Sequence, residues 1–169
     1  MKYLLSLTLF LIFTNQLHAE QYAKAEVMYC YDGDTCTIKT SDKLLWFNGR
    51  LFGIDAQEKG KGKLNPKDQP FAIPSRDALN KKIKGKMVQL KQSDLDRHNR
   101  PVIEIWYNNR NINLEMVKEG LVEAYRGKTK RISMTPYFEA EANAKKAKLG
   151  IWKLKDYISP FEFRKKSKQ

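Results

Sequence analysis

Residues 25–40 read Ala-Glu-Val-Met-Tyr-Cys-Tyr-Asp-Gly-Asp-Thr-Cys-Thr-Ile-Lys-Thr. Two segments rich in β-branched and aromatic residues, Ala25–Tyr31 and Thr35–Thr40, flank Asp32-Gly33-Asp34. That is the pattern of a hairpin, because Asp and Gly tolerate the angles of a tight turn and the flanking side chains suit a pleated surface. A hairpin sets Cys30 and Cys36 on facing strands, within disulfide reach. The other reading is a pair of buried free thiols. The two Cys, with one His (His98) beyond the N-terminal segment, cannot build a structural zinc site.

Further strands follow the hairpin. Leu44–Asp55 reads as one or two strands interrupted at Asn48-Gly49, and Met87–Gln92 and Val102–Tyr107 as two more, joined by the charged connector Ser93–Arg100. Lys59–Pro70 is a Gly-, Lys- and Pro-rich loop, long enough to suggest function. Ser75 is suited to cap a helix that puts Ala78, Leu79 and Ile83 on one face and stops at Gly85. A second helix is expected from Asn113 to Glu119. A third is expected from Thr135-Pro136 to Gly150, with Lys145, Lys146 and Lys148 favouring its C-terminal dipole. The expected fold class is α+β: a five-stranded OB-fold-type β-barrel with three α-helices, since closure removes sheet edges. The pattern alone also permits an open sheet with helices on one face.

The chain has 169 residues and a net charge of +13, yet is 41% hydrophobic, so the charge sits on something folded. Such a field attracts polyanions: nucleic acid, acidic polysaccharide or anionic membrane. The expected domain plan has three parts. Residues 1–19 combine Lys2, the apolar run Leu4–Phe13 and Ala19, and read as a cleaved signal peptide; the run is short of the roughly 20 residues that span a bilayer. Residues 20–155 form the domain, and residues 156–169 a basic tail that frays from Arg164 onward. Export implies a periplasmic or secreted protein with no stable membrane association after cleavage.

Against this basic background, clustered acids stand out. Asp32 and Asp34 lie in the first turn, while Asp55 and Glu58 follow an apolar strand. Carboxylates at strand ends are rigidly placed, and hard oxygen donors select Ca²⁺ or Mg²⁺. Plain turn chemistry explains Asp32-Gly33-Asp34-Thr35 equally well. Arg50 and Arg100 are suited to clamp phosphate bidentately, although most Arg side chains in so basic a chain are solvated.

Four blocks in order carry a resemblance. They are Asp32-Gly33-Asp34-Thr35, then Arg50-Leu51-Phe52-Gly53-Ile54-Asp55-Ala56-Gln57-Glu58, then Asp96-Arg97-His98-Asn99-Arg100, then Asn113–Gly120 with Leu121 and Ala124-Tyr125. Together with the closing helix and Gly150-Ile151-Trp152, the chain from about Ala25 to Trp152 resembles the thermonuclease, or staphylococcal nuclease-like, family. The resemblance implies that Asp34, Asp55 and the backbone carbonyl of Ala56 hold Ca²⁺. It implies that Glu58 is the general base and that Arg50 and Arg100 grip the scissile phosphate. Arg97 and His98 match residues that contact a terminal phosphate. Gln57 stands where the family usually has Pro, and Pro101 after Arg100 is unfamiliar.

The resemblance further implies a monomeric, sugar-nonspecific nuclease that cleaves DNA and RNA and leaves 3′-phosphate ends. The rival is a catalytically inactive OB-type nucleic-acid-binding module; the retained acids and arginines favour the enzyme. A basic adhesin would leave the acidic set unexplained. His98-Asn99-Arg100 is not read as part of an HNH nuclease, which needs more than one mature His.

Overall fold

The computed structural model describes residues 23–42, 44–60 and 67–166. The proposed signal peptide therefore lies outside the described residues, as does part of the Lys59–Pro70 loop. Among the described residues no helix is long and apolar enough to cross a membrane.

Five strands make the barrel: β1 (Ala23–Cys30), β2 (Thr35–Thr40), β3 (Trp46–Leu51), β5 (Met87–Leu95) and β6 (Pro101–Tyr107). They run in the order β3-β2-β1-β5-β6. All neighbouring pairs are antiparallel except the closing one, where β3 meets β6 in parallel with Arg50 opposite Val102 and Leu51 opposite Ile103. Closure decides between the two architectures open from sequence, and it puts Arg50 on the seam. Val27, Ile38, Leu51, Ile103 and Ile105 fill the interior. A register shift between Val27 and Tyr29 swings Cys30 inward to face Cys36, and a disulfide joins them.

Short strands and helices surround this core. β4 (Ile54–Asp55) pairs with β8 (Glu123–Ala124), and β7 (Arg110–Asn111) extends the sheet beside β6. The helices are α1 (Ala72–Ile83), α2 (Ile112–Lys118), α3 (Thr135–Lys146) and α4 (Pro160–Lys166), with a 3-10 turn at Gly150–Lys153. Asn113 on α2 is fully buried. Its Nδ2 donates to Phe52 O (3.0 Å) and Ile103 O (2.9 Å), and its Oδ1 accepts from Ile105 N (3.0 Å). One amide thus ties α2, β6 and the β3–β4 turn together. Gly53 in that turn has φ 76°, and a Cβ there would lie 2.8 Å from the Tyr137 ring. Both backbone angle and space demand glycine.

Several expectations need correction. Asn48-Gly49 does not interrupt β3: Asn48 accepts from Thr37 across the strands, and Gly49 lets Ile103 approach to 2.5 Å of its missing Cβ. Ser75 does not cap α1, which starts at Ala72 after the left-handed Phe71. Instead Ser75 is buried beneath Gly33, and Pro74 occupies the first turn, where its missing N–H costs nothing. The connector Ser93–Arg100 is only partly a turn, since β5 runs to Leu95 and the chain reverses over Asp96–Arg100. Helix α3 ends at Lys146, and Gly150 begins the 3-10 turn. Among the described residues there are four helices rather than three, and the fourth contradicts the expected fraying at Arg164–Lys166. Ser159 and Glu162 cap it reciprocally: Glu162 N donates to Ser159 Oγ (3.1 Å) and Ser159 N to Glu162 Oε2 (3.2 Å).

Candidate active site

The turn after β1 and the turn after β3 meet at the barrel seam. Asp34 Oδ2 accepts from Ala56 N (2.7 Å), Leu51 N donates to Asp34 O (2.7 Å), and Thr35 Oγ1 donates to Asp34 Oδ1 (3.1 Å). Arg50, projecting from the seam, bridges the two turns. Its Nη1 pairs with Asp34, and its Nη2 donates to Asp55 Oδ1 (3.0 Å) and Ile54 O (3.1 Å). The side chains of Asp34, Asp55 and Arg50 are 5%, 6% and 20% exposed. Burial alone would lower the Arg50 pKa, but the charges of Asp34 and Asp55 outweigh it and hold the guanidinium above its ordinary range.

Asp32 carries the opposite tension. Burial first, then the Asp34 charge, pushes its carboxyl up to about 7. Asp32 Oδ1 also accepts from Asp34 N (3.0 Å), so it supports the turn that aims Asp34.

Glu58 follows directly. Its N–H donates to Gln69 Oε1 (3.0 Å) and its carbonyl accepts from Gln69 N (2.8 Å), so the chain beyond β4 is held against the start of α1. The Glu58 carboxylate accepts from Arg164 Nη1 (2.6 Å). The same guanidinium grips Asp55, through Nη1 to Oδ1 (3.1 Å) and Nη2 to Oδ2 (2.8 Å).

Arg100, Arg97 and His98 line the same cleft, whose volume is about 1440 Å³. Arg100 is aimed by Asp96, with Nε donating to Asp96 Oδ2 (2.8 Å) and Nη2 at 2.7 Å from the same oxygen. Burial opposes it, but hydrogen bonds from the Arg100 amide and guanidinium and the His98 amide hold Asp96 below the usual carboxylate range. Arg97 and His98 are exposed on the turn, Arg97 Nε donating to His98 Nε2 (3.2 Å). The cleft therefore gathers Arg50, Glu58, Arg100, Asp34, Asp55, Ala56, Arg97 and His98.

Among the described residues no three His, Cys, Asp or Glu side chains form a ready metal cluster. The donor chemistry nonetheless fits a hard divalent cation. Two buried carboxylates converge on one guanidinium and one of them recruits a second, so hard oxygen donors are gathered at one point where a cation could replace a guanidinium. Asp34, Asp55 and the Ala56 carbonyl are the oxygens that would hold Ca²⁺, with water completing its coordination.

Residue-by-residue reading missed Arg164 and Gln69. Arg164 sits in the run Arg164-Lys165-Lys166, where nothing local separates it from solvated neighbours. A signal for its helix existed in Ser159-Pro160-Phe161-Glu162, a capping box with Pro at the first helical position.

A closed barrel with a carboxylate–arginine cluster in a cleft lined by further basic residues has the charge and donors to handle a phosphodiester. Residues 48–154 match the family model described as "Staphylococcal nuclease homologue"; the chain belongs to that family, and the match makes it a nuclease. It is 35% identical over 138 residues to an "Uncharacterized endonuclease" of Haemophilus influenzae, covering 81% of this chain and 70% of that protein. It is 30% identical over 131 residues to a "Probable endonuclease LCL3" of Eremothecium gossypii (73% and 47%). With the Kluyveromyces lactis protein of the same name it shares 32% over 126 residues (70% and 46%). The chain spans just under half the length of these fungal relatives.

Proposed function

We propose that the protein is an exported, Ca²⁺-dependent, sugar-nonspecific nuclease that cleaves DNA and RNA and leaves 3′-phosphate ends. The observation that carries this reading is the convergence of Asp34 and Asp55 on Arg50, with Glu58 bound to the guanidinium that grips Asp55 and Arg100 in the same cleft.

Arg50 and Arg100 would bind the scissile phosphate. Their planar forks match two phosphate oxygens, and their charge gains value as negative charge grows on those oxygens in the transition state. Glu58 would accept the proton of the attacking water. Bound at Asp34, Asp55 and the Ala56 carbonyl, Ca²⁺ would supply further charge neutralisation at the phosphate. The new bond joins the water oxygen to phosphorus, the bond to the 5′ oxygen breaks, and that oxygen leaves with a proton from solvent. Arg97 and His98 would touch a neighbouring phosphate, and the surrounding basic surface would steer the polyanion in a salt-sensitive way. A monomer suffices, since all these groups come from one chain.

The deciding assay incubates purified protein with DNA and with RNA, with Ca²⁺ and with a chelator. Both polymers should be degraded only with the metal, and end-group analysis should find 3′-phosphates. Tight DNA binding with no cleavage at millimolar Ca²⁺ would replace this reading with that of an inactive binding module. Secretion of a reporter fused to residues 1–19 tests export.

A further inference from the structure

We propose that the C-terminal segment Tyr157–Lys166 is a self-inhibiting latch: α4 lays Arg164 across Asp55 and Glu58, and a divalent cation must displace it to bind. The inference rests on the metal reading of Asp34 and Asp55.

Arg164 lies 109 residues from Asp55 in sequence, yet both its Nη atoms reach that carboxylate and one also reaches Glu58. With Arg50 also donating to Asp55 Oδ1, that oxygen already accepts two guanidinium hydrogen bonds. A cation beside Asp55 would face the Arg164 charge across a few ångströms of partly desolvated space, where like charges repel strongly. The proposed base is engaged by the same contact, since Arg164 Nη1 takes up Glu58 Oε1 (2.6 Å) and so stands where an attacking water would meet that oxygen. Phe161, Glu162, Arg164 and Lys165 line the cleft itself, so α4 also occupies space that a substrate strand would need.

The segment is held at defined points. Tyr157 OH donates to Glu123 Oε2 (2.7 Å), and its ring lies 4.8 Å from that of Trp152. Gln69 Nε2 donates to Ile158 O (2.6 Å) while Gln69 Oε1 accepts from Glu58 N, so one amide links the latch to the backbone of the proposed base. The capping box then starts α4 at Pro160. The hold is also releasable. Helix α4 has seven residues, Phe161 is 65% exposed and the Arg164 side chain 38% exposed. Short helices are at the weak end of a protein's stability range, and a cation that displaces Arg164 would take over its charge at Asp55.

Hydrogen exchange of residues 157–166 and Ca²⁺ titration calorimetry test the latch on the purified full chain, on Arg164→Gln and on Tyr157→Phe. In the parent, Ca²⁺ should accelerate exchange across α4. A latch closed about 90% of the time lowers apparent affinity about tenfold, so Arg164→Gln should bind Ca²⁺ about tenfold more tightly. Tyr157→Phe, which keeps every charge, should gain about threefold from one lost hydrogen bond. If Ca²⁺ binds the parent and α4 protection stays unchanged, the latch is wrong and the metal reading stands. The latch is equally wrong if Arg164→Gln lowers nuclease turnover at unchanged Ca²⁺ affinity, which would make Arg164 a substrate-binding group. Ca²⁺ binding to none of the three proteins would overturn both.

Discussion

The two halves of the cleft are built differently. At the barrel seam, Asp34, Asp55 and Arg50 are 5–20% exposed, come from strand ends and hold one another through the backbone of Ile54 and Ala56. At the rim, Arg100 and Arg164 are 34% and 38% exposed and come from the turn after β5 and a short terminal helix. The seam half cannot move without opening the barrel. The rim half can rearrange at small cost. On the proposed function, groups that would need preorganisation sit in the first, and groups that would meet or exclude a polymer sit in the second.

The sharpest way to break this contrast is to remove one arginine from each half. Arg50→Ala and Arg100→Ala should each lower kcat/KM by about 10²–10³-fold, as expected for lost transition-state charge stabilisation. Only Arg50→Ala should also strip stability, because it leaves Asp34 and Asp55 buried with less compensation, whereas Arg100 loses a half-exposed pair worth under about 1 kcal/mol. Equal melting temperatures for the two variants would erase the distinction.

Next in size is Asn113→Ala. Leaving Phe52 O, Ile103 O and Ile105 N without their buried partner should cost about 3 kcal/mol in urea unfolding. The loss should reach the site, since the same amide anchors the turn leading to Asp55. Replacing both cysteines with serine should cost about 2 kcal/mol by releasing a short loop in the unfolded chain, with rim residues unaffected in hydrogen exchange.

The finest test concerns sign. The Asp32 carboxyl is raised from 3.8 to about 7 in the folded protein, so the native state retains a proton that the unfolded chain has released. Its contribution to stability is fully present below about pH 4 and is lost as pH rises through about 7. Asp32→Asn keeps the oxygen that accepts from Asp34 N but does not ionise. In chelator, its melting temperature should therefore gain on the parent between about pH 5 and pH 8. No relative gain would mean that burial and the Asp34 charge do not keep Asp32 protonated in the fold.

Much of this was legible without coordinates. The hairpin followed from Asp32-Gly33-Asp34 between β-rich segments. The core of α2, and the strands Met87–Gln92 and Val102–Tyr107, followed from pattern. The errors fell where long-range packing overrode a local cue. Gly49 looked like a break and is a strand residue because Ile103 needs its space. Ser75 looked like a cap and is buried because α1 begins one turn earlier, after Phe71.

Sequence by itself determined the family, the order of the chemical groups and the cationic character that draws a polyanion. These are properties of residue type and spacing, read along the chain. Tertiary structure decided which groups share a cavity. Arg50 bridges two carboxylates because β3 closes on β6, and Arg164 meets Asp55 because the chain returns from α3 through Tyr157 and Ile158 to the mouth of the barrel. Charges of one sign look alike in sequence; only burial and distance tell a solvated lysine tail from an arginine held against a carboxylate.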